Sequence, residues 1–182
     1  MRVLVTGGAG FVGQWLTRSL LQRGDDVDLT GLGAEFSGPH VLTPDERRAT
    51  RWIRADMRSA DDVETAVEQS KPDVVFHFAA VSFPPEADRS PSAAYDVNAL
   101  GAVRLLTSIR RRVDAGTLGA TTLVVGTGMQ YGQHPSSEMP LGETAEQRPL
   151  STYAASKAAQ ELAALQLFRA HGDGRVGQPP RT

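Results

Sequence analysis

The sequence contains no cysteine, and only two of its 182 residues are lysines. Without cysteine, disulfides and thiolate metal sites are excluded. No apolar run approaches the roughly 18 residues of a membrane-spanning helix, and a predicted strand at the N-terminus leaves no room for a signal peptide. The net charge of −2 argues against a surface for nucleic acid or anionic membranes. We therefore expect a cytoplasmic protein that binds neither nucleic acid nor membrane.

The 182 residues suit one domain with a full hydrophobic core. Apolar patterns alternate in the order β-α-β-β-α-β-α-β-α, which predicts an α/β fold with a doubly wound parallel sheet and helices on both faces. The ligand crevice of such a Rossmann-like sheet lies beyond the carboxyl ends of its strands. We predict loops at 33–50, 83–86 and 132–150. A long helix is predicted from Pro91 to near Val113, with Leu100 and Leu105 in its core-facing stripe.

The first motif is a strand, a glycine turn and a helix between residues 2 and 22. Two spacings fit dinucleotide binding equally well: Gly8-x-Gly10-x-x-Gly13 and Gly7-x-x-Gly10-x-x-Gly13. Glycine permits the tight turn and a close approach of the backbone to a pyrophosphate, and the helix N-terminus offers unpaired N–H groups. The motif therefore predicts nucleotide binding; the alternative is an ordinary tight turn between a strand and a helix.

The end of the predicted second strand carries no acid for an adenosine ribose. In proteins that bind NAD, such an acid stands about 20 residues beyond the glycines. Here that place reads Thr30-Gly31-Leu32-Gly33, with Asp28 too early and Glu35 too late. No nearby arginine indicates a 2′-phosphate site either. The sequence leaves NAD and NADP both open.

A second motif, Tyr153-Ala-Ala-Ser-Lys157, places a phenol and an ammonium on one face of a helix. A nearby cation lowers the pKa of a tyrosine and suits it to acid–base catalysis. Thr127 follows the predicted fifth strand, where its hydroxyl could orient a substrate; the alternative is a threonine that stabilises a turn. His77, in a buried strand, is interpreted as a core histidine and not as a catalyst.

These motifs occur in the order found in one enzyme family. The chain resembles the extended short-chain dehydrogenase/reductase family, which comprises nucleotide-sugar epimerases, dehydratases and reductases. The likeness rests on the segments 6–13, Asp56-Met57, 77–80, Asn98, Thr127 with Tyr131-Gly132, and Tyr153-x-x-x-Lys157.

The resemblance implies an NAD- or NADP-dependent enzyme that transfers hydride to or from a nucleotide-linked sugar. It implies Thr127, Tyr153 and Lys157 as catalytic residues. It also implies a set of cofactor-binding residues: Gly7, Gly10, Phe11, Val12, Gly13, Asp56, Met57, Phe78, Ala79, Ala80, Asn98, Tyr153 and Lys157. No metal is implied, and we expect a homo-oligomer.

The segment from Ala80 to Glu86 resembles the branch of the family that acts on GDP-mannose-derived sugars, the reductases and dehydratases. The dehydratases use a glutamate shortly after the hydroxyl residue, and positions 128–130 contain none. A reductase or an epimerase is therefore the preferred interpretation.

The resemblance also implies a longer protein than this chain. Family members continue past the Tyr/Lys helix into further strands and a sugar-nucleotide-binding domain. We therefore interpret the chain as C-terminally truncated, with an NAD(P)-binding Rossmann-like domain at 1–172, an irregular tail at 173–182, and the last strands and substrate domain missing. The alternative function is a catalytically silent dinucleotide-binding fragment or pseudoenzyme that needs a partner. We expect an exposed edge at the fifth strand and incomplete burial of Leu162, Leu165 and Phe168.

Overall fold

A computed structural model describes residues 1–33, 36 and 41–170. Its centre is one parallel sheet of five strands in the order β3-β2-β1-β4-β5. The strands are β1 (Arg2–Thr6), β2 (Asp26–Gly31), β3 (Thr50–Arg54), β4 (Val74–His77) and β5 (Thr121–Val124). The strand order reverses beside β1, which is the arrangement of a doubly wound sheet with its crevice at the switch point. The predicted Rossmann-like fold is confirmed.

Seven helices connect or follow these strands in the described residues. They are α1 (Phe11–Gln22), α2 (Pro44–Arg48), α3 (Ala60–Ser70), α4 (Pro84–Arg89), α5 (Pro91–Tyr95), α6 (Gly101–Asp114) and α7 (Thr152–Ala170). A π-helical segment, Asp96–Leu100, joins α5 to α6. Two short 3₁₀ turns, Gly128–Tyr131 and Ser136–Glu138, lie between β5 and α7.

The core lies on both faces of the sheet because successive strand residues point to opposite sides. Val3 and Val5 of β1 pack on one face with Leu20 of α1. Leu4, between them, packs on the other face with Val63 of α3 and Leu105 of α6. The sheet is thus covered by helices on both faces.

Two predicted loops contain short helices. In the predicted loop 33–50, Thr43 accepts a hydrogen bond from the backbone N–H of Glu46 while the Glu46 side chain accepts one from the Thr43 N–H, and this capping box begins α2. In the predicted loop 83–86, Pro84 occupies the first turn of α4, where its missing N–H costs nothing. Both loop predictions were wrong at these residues because proline can begin a helix as well as interrupt one.

The long helix predicted from Pro91 is continuous in path but changes its winding at the π-helical segment. A π turn holds one more residue than an α turn, so the faces on either side of it are out of phase. Leu105 is buried as predicted, whereas Leu100 is 50% exposed and Asn98 is fully buried. The extra residue removes Leu100 from the core-facing stripe and turns Asn98 inward.

β5 is the last strand of the described sheet and pairs only with β4 there. Leu123 of β5 is 47% exposed, and Leu162 of α7 is 66% exposed. Leu165 and Phe168 are also exposed, so the incomplete burial predicted for these positions is confirmed. Glu35 and the predicted tail 173–182 lie outside the described residues.

Candidate functional site

The carboxyl ends of β1 to β4 surround a crevice of about 550 Å³. The glycine turn contributes Gly7 and Ala9 to its wall. The ends of the other strands supply three further groups of lining residues: 30–33 after β2, 55–58 after β3 and 79–83 after β4. The crevice lies where the topology of a doubly wound sheet places ligand binding.

The glycine turn is packed too closely for side chains. Gly7 has a φ of +70°, and a Cβ on it would lie 2.8 Å from the backbone N of Ala79. A Cβ on Gly13 would lie 2.7 Å from the carbonyl oxygen of Gly7. The N–H of Gly10 donates to that same carbonyl at 2.9 Å and closes the turn. Glycine at 7 and 13 therefore brings the turn against β4 and α1 against the turn.

The N-terminus of α1 is free to meet an anion. Gly10 is its N-cap residue and has no side chain to cap it, and the first turn carries no acidic residue. Gln14 instead donates from Nε2 to the carbonyl of Ala9, at 2.7 Å. Phe11 and Val12 are exposed at the start of the helix, where the backbone N–H groups have no partner within the helix. This is the geometry that binds phosphate.

Asp56 and Met57 lie at the end of the crevice formed by β2 and β3. The Asp56 carboxylate accepts hydrogen bonds from Arg58 Nε at 3.0 Å and Nη2 at 2.6 Å. Arg58 thereby lowers the pKa of Asp56, and the charge of Arg54 acts in the same direction. Met57 is buried, and its carbonyl accepts a hydrogen bond from Arg104 at 3.1 Å.

Asn98 connects the crevice to α7. Its Oδ1 accepts a hydrogen bond from the Val81 N–H at 2.8 Å, and its Nδ2 donates to the Val81 carbonyl at 3.2 Å. The same Nδ2 donates to Ser156 Oγ at 2.9 Å. Val81 lines the crevice, and Ser156 stands between Tyr153 and Lys157 on α7. The π-helical segment turns Asn98 into this position.

Tyr153 and Lys157 stand one turn apart on α7. Lys157 is only 3% exposed, and its Nζ donates to Gln160 Oε1 on the same helix. Burial lowers the pKa of Lys157 to about 8. Tyr153 is half-buried. The phenol and the ammonium therefore belong to the same side of one helix, as their spacing of four residues predicts.

His77 lies in the core beneath this site, as predicted for a core histidine. Its Nδ1 is 2.7 Å from Thr6 Oγ1, and Thr6 Oγ1 also accepts a hydrogen bond from the Ala79 N–H at 3.3 Å. Burial, and secondarily the charge of Lys157, lower the pKa of His77 to about 3. The ring is therefore neutral and joins the ends of β1 and β4.

Thr127 takes the local role that the sequence left as its alternative. Its Oγ1 accepts a hydrogen bond from the Met129 N–H at 3.3 Å and caps the 3₁₀ turn. Thr127 nevertheless lies after β5, on the same side of the sheet as the crevice.

The structure brings the predicted site residues together to different degrees. Those that line the crevice directly are Gly7, Asp56, Met57, Ala79 and Ala80. Five others border it: Gly10 caps α1, Phe11, Val12 and Gly13 form the first turn of α1, and Phe78 directly follows β4. Asn98 contacts the crevice through Val81. Tyr153, Lys157 and Thr127 do not line it.

Sequence analysis missed several residues of the site. Ser156 and Gln160 contact Asn98 and Lys157, and their signal was their place on the inward face of α7. Trp52 lines the crevice beside the end of β2, and no motif marked it.

Among residues 1–33, 36 and 41–170, no three metal-binding side chains lie together. No helix in these residues has the length and hydrophobicity to cross a bilayer.

Comparison with known proteins gives a consistent result. Residues 3–179 match the NAD dependent epimerase/dehydratase family. The chain is 30% identical to a UDP-glucose 4-epimerase of Lacticaseibacillus casei, covering 98% of this chain and 55% of the relative. It is 31% identical to a GDP-6-deoxy-D-mannose reductase of Pseudomonas aeruginosa, covering 91% of this chain and 46% of the relative. A crystal structure of Thermus thermophilus UDP-glucose 4-epimerase with NAD superposes with a TM-score of 0.80 at 33% identity, covering 94% of this chain and 52% of that one.

The chain therefore spans about half the length of the relatives it matches. NAD, the cofactor of the family, fits the residues present, because the crevice lies at the end of the glycine turn and the first turn of α1 carries no competing carboxylate. The sequence had left NAD and NADP open, and family membership assigns NAD. With the match over nearly its whole length, the glycine turn and the parallel sheet, the chain belongs to the NAD dependent epimerase/dehydratase family.

Proposed function

We propose that this chain is the cofactor-binding part of an enzyme that transfers hydride to or from a nucleotide-linked sugar, with Tyr153 as its acid–base. One observation carries the proposal. Asn98 bonds both to Val81 in the crevice wall and to Ser156 between Tyr153 and Lys157. This bridge holds the Tyr/Lys face of α7 at a set distance from the crevice, as transfer between a bound cofactor and a substrate demands.

The residues have separate roles in this proposal. Gly7, Gly10, Phe11, Val12 and Gly13 hold the pyrophosphate, and NAD supplies the acceptor and source of hydride when bound. We propose that the remaining contacts with the cofactor are made by Asp56, Met57, Phe78, Ala79, Ala80 and Asn98. Tyr153 takes or returns the proton of the sugar hydroxyl at its phenolic oxygen.

Lys157 and Thr127 assist Tyr153. Lys157 stabilises negative charge on the phenolic oxygen of Tyr153 by its own positive charge. It also binds the cofactor ribose, for which its Nζ gives up the hydrogen bond to Gln160. Thr127 orients the sugar oxygen by its hydroxyl. We propose these roles for the bound state, in which ligands compete with the contacts that Gln160 and the Met129 N–H make in the structure.

The reaction is proposed to be epimerisation or reduction. The dehydratases of the extended short-chain dehydrogenase/reductase family use a glutamate shortly after the hydroxyl residue. In this chain the three residues after Thr127 are Gly-Met-Gln. An epimerase and a reductase both appear among the relatives. We further propose a nucleotide sugar as substrate and a homo-oligomer as the working assembly.

A silent dinucleotide-binding module is the second candidate. It is favoured by the positions of Thr127, Tyr153 and Lys157, which do not line the crevice. In this alternative, the crevice binds NAD and Tyr153 transfers no proton.

Two measurements separate these functions. Calorimetric titration with NAD tests binding. With the natural protein, chromatographic detection of the C4 epimer of UDP-glucose tests epimerisation, and absorbance at the nicotinamide band with GDP-6-deoxy-D-mannose tests net hydride transfer. Tyr153→Phe should lower turnover by at least about two orders of magnitude and leave NAD affinity nearly unchanged. Lys157→Ala should reduce both. Binding without turnover supports the silent module, and the absence of binding contradicts both functions.

A further inference from the structure

Among the described residues, the end of the crevice beside β2 lacks the acidic side chain that makes a dinucleotide site selective for NAD. In a site selective for NAD, an acidic residue at the end of the second strand binds the ribose 2′-hydroxyl and repels a 2′-phosphate. In this chain, β2 ends at Gly31, and Gly31 lines the crevice. The sequence shows that the acid is missing, and the structure shows why no side chain fits there.

The indole of Trp52 occupies the space that a side chain at position 31 would need. A Cβ built on Gly31 would lie 2.5 Å from Trp52 Cη2 and 2.8 Å from Cζ2. Trp52 is on the adjacent strand β3, two positions before Arg54, which is the register partner of Gly31. An acid at 31 is therefore excluded by packing as well as absent from the sequence.

Trp52 is held in this position from two sides. Its Nε1 donates to the carbonyl oxygen of Gly33 at 2.9 Å. The ring of Phe36 packs against it edge to face, with centroids 5.5 Å apart. Moving the indole to admit a side chain at 31 would break both contacts, so the Gly31–Trp52 pair is a fixed feature of this wall.

Among the described residues that line this end of the crevice, 30–33 and 55–58, Asp56 carries the one carboxylate. Arg58 forms an ion pair with it at 2.6 Å. Arg54 adds a second guanidinium close enough to lower the pKa of Asp56. The buried Thr30 Oγ1 has no hydrogen-bond partner in the described residues. A 2′-phosphate at this end of the crevice would therefore meet the Arg58–Asp56 ion pair and no unpaired acid among the described wall residues 30–33 and 55–58.

We propose that the Gly31–Trp52 pair determines cofactor selectivity and that this chain binds NADP about as well as NAD. The proposal rests on dinucleotide binding in the crevice, which is part of the proposed function. It extends the ligand class of the site from NAD to dinucleotides with a 2′-phosphate. The effect on selectivity is steric, because the indole of Trp52 on β3 occupies the space in which a site selective for NAD has the acidic side chain of β2.

Calorimetric titration with NAD and with NADP tests the proposal on the wild type and on the double variant Gly31→Asp/Trp52→Val. The double variant supplies the acid and removes the ring that blocks it; Gly31→Asp alone would clash with the indole. We expect Kd values for the two cofactors within about tenfold of each other in the wild type. We expect the double variant to disfavour NADP by at least a further tenfold, about the effect of one unfavourable charge contact.

Two control variants complete the test. Trp52→Val alone should leave the ratio of the two Kd values nearly unchanged, because it adds no acid at position 31. Glu35→Gln should also leave the ratio unchanged, because in this proposal the Glu35 carboxylate does not bind the ribose. A wild type that prefers NAD by much more than tenfold, a Glu35→Gln variant that loses such a preference, or a double variant with an unchanged ratio overturns the proposal. The absence of binding by both cofactors instead contradicts the proposed function.

Discussion

At the scale of single residues, His134 lies between two hydrogen-bond acceptors. Its Nδ1 lies 2.6 Å from Glu138 Oε2, and its Nε2 lies 3.0 Å from the carbonyl oxygen of Glu146. Both neighbours are acceptors, and a neutral imidazole has only one N–H, so both bonds together require the imidazolium. The bond to Glu138 raises the pKa of His134 and the Glu146 carbonyl adds to this, whereas the charge of Arg148 lowers it. The segment before α7 is thus closed by a cation.

This arrangement predicts a pH-dependent contribution to stability. Because the folded pKa of His134 is raised, the contribution is complete below the ordinary histidine pKa of about 6.5 and is lost as pH rises through the folded value. Glu138→Gln should therefore lower the Tm at pH 6 and have little effect at pH 9. Glu143→Gln, an exposed residue of the same segment, is the matched control. Thermal unfolding at both pH values measures the effect, and an equal loss at both would contradict it.

At the scale of elements, the N-terminus of α7 is capped by a side chain from α4. The Thr152 N–H donates to Asp88 Oδ1 at 2.9 Å, across from α4. Within α7, the Ala154 N–H donates to Ser151 Oγ at 3.2 Å. Two of the otherwise unpaired N–H groups of the first turn are thus satisfied, and Tyr153 stands between them. The position of Tyr153 depends on α4, a helix in a segment predicted to be a loop.

We predict that Asp88→Ala lowers the Tm by about 2–4 °C at pH 7, the usual effect of losing a cap in a domain of this size. Asp88→Asn, which keeps an acceptor oxygen, should lower it less. Because the hydrogen bonds to Thr152 lower the pKa of Asp88, the contribution is present above about pH 3.9 and is lost as pH falls through the folded value. Hydrogen exchange at the Thr152 amide reports the cap directly. Unchanged protection of that amide in Asp88→Ala would show that the bond does not hold α7.

At the scale of the whole molecule, one apolar side of the sheet is uncovered by the described residues. β5 is the edge strand of the described sheet, and a groove of about 320 Å³ runs between it and α7. Val124, Leu165 and Phe168 line this groove. An uncharged edge with unpaired backbone groups beside an apolar groove favours pairing with another chain.

We predict that the 182-residue chain self-associates through β5 and the outer face of α7. Leu123→Lys should shift the chain toward monomer, because a charge on an exposed edge opposes strand pairing. Leu150→Lys, at a residue that is also exposed but lies outside both elements, is the control and should leave the association unchanged. Sedimentation velocity over a range of concentrations makes the measurement. A wild type that remains monomeric throughout would contradict the prediction.

Much of the fold could be predicted from local patterns. The five strands, the glycine turn and the Tyr/Lys helix follow from the period of apolar residues and from the few residues that a tight turn accepts. The missing acid after β2 was equally visible in the sequence. The helices α2 and α4 were missed because their first-turn prolines were taken as loop signals, although Thr43-Pro44-Asp45-Glu46 carries a recognisable capping box.

The sequence by itself determined the order of elements, the family and the set of chemical groups, because these depend on neighbours along the chain. Only the tertiary structure decided which groups meet. The π turn directs Asn98 to Ser156, α4 brings Asp88 to Thr152, and the register of β3 on β2 sets Trp52 against Gly31. These contacts join residues far apart in sequence, and their geometry follows from the packing of whole helices and strands, which no local pattern encodes.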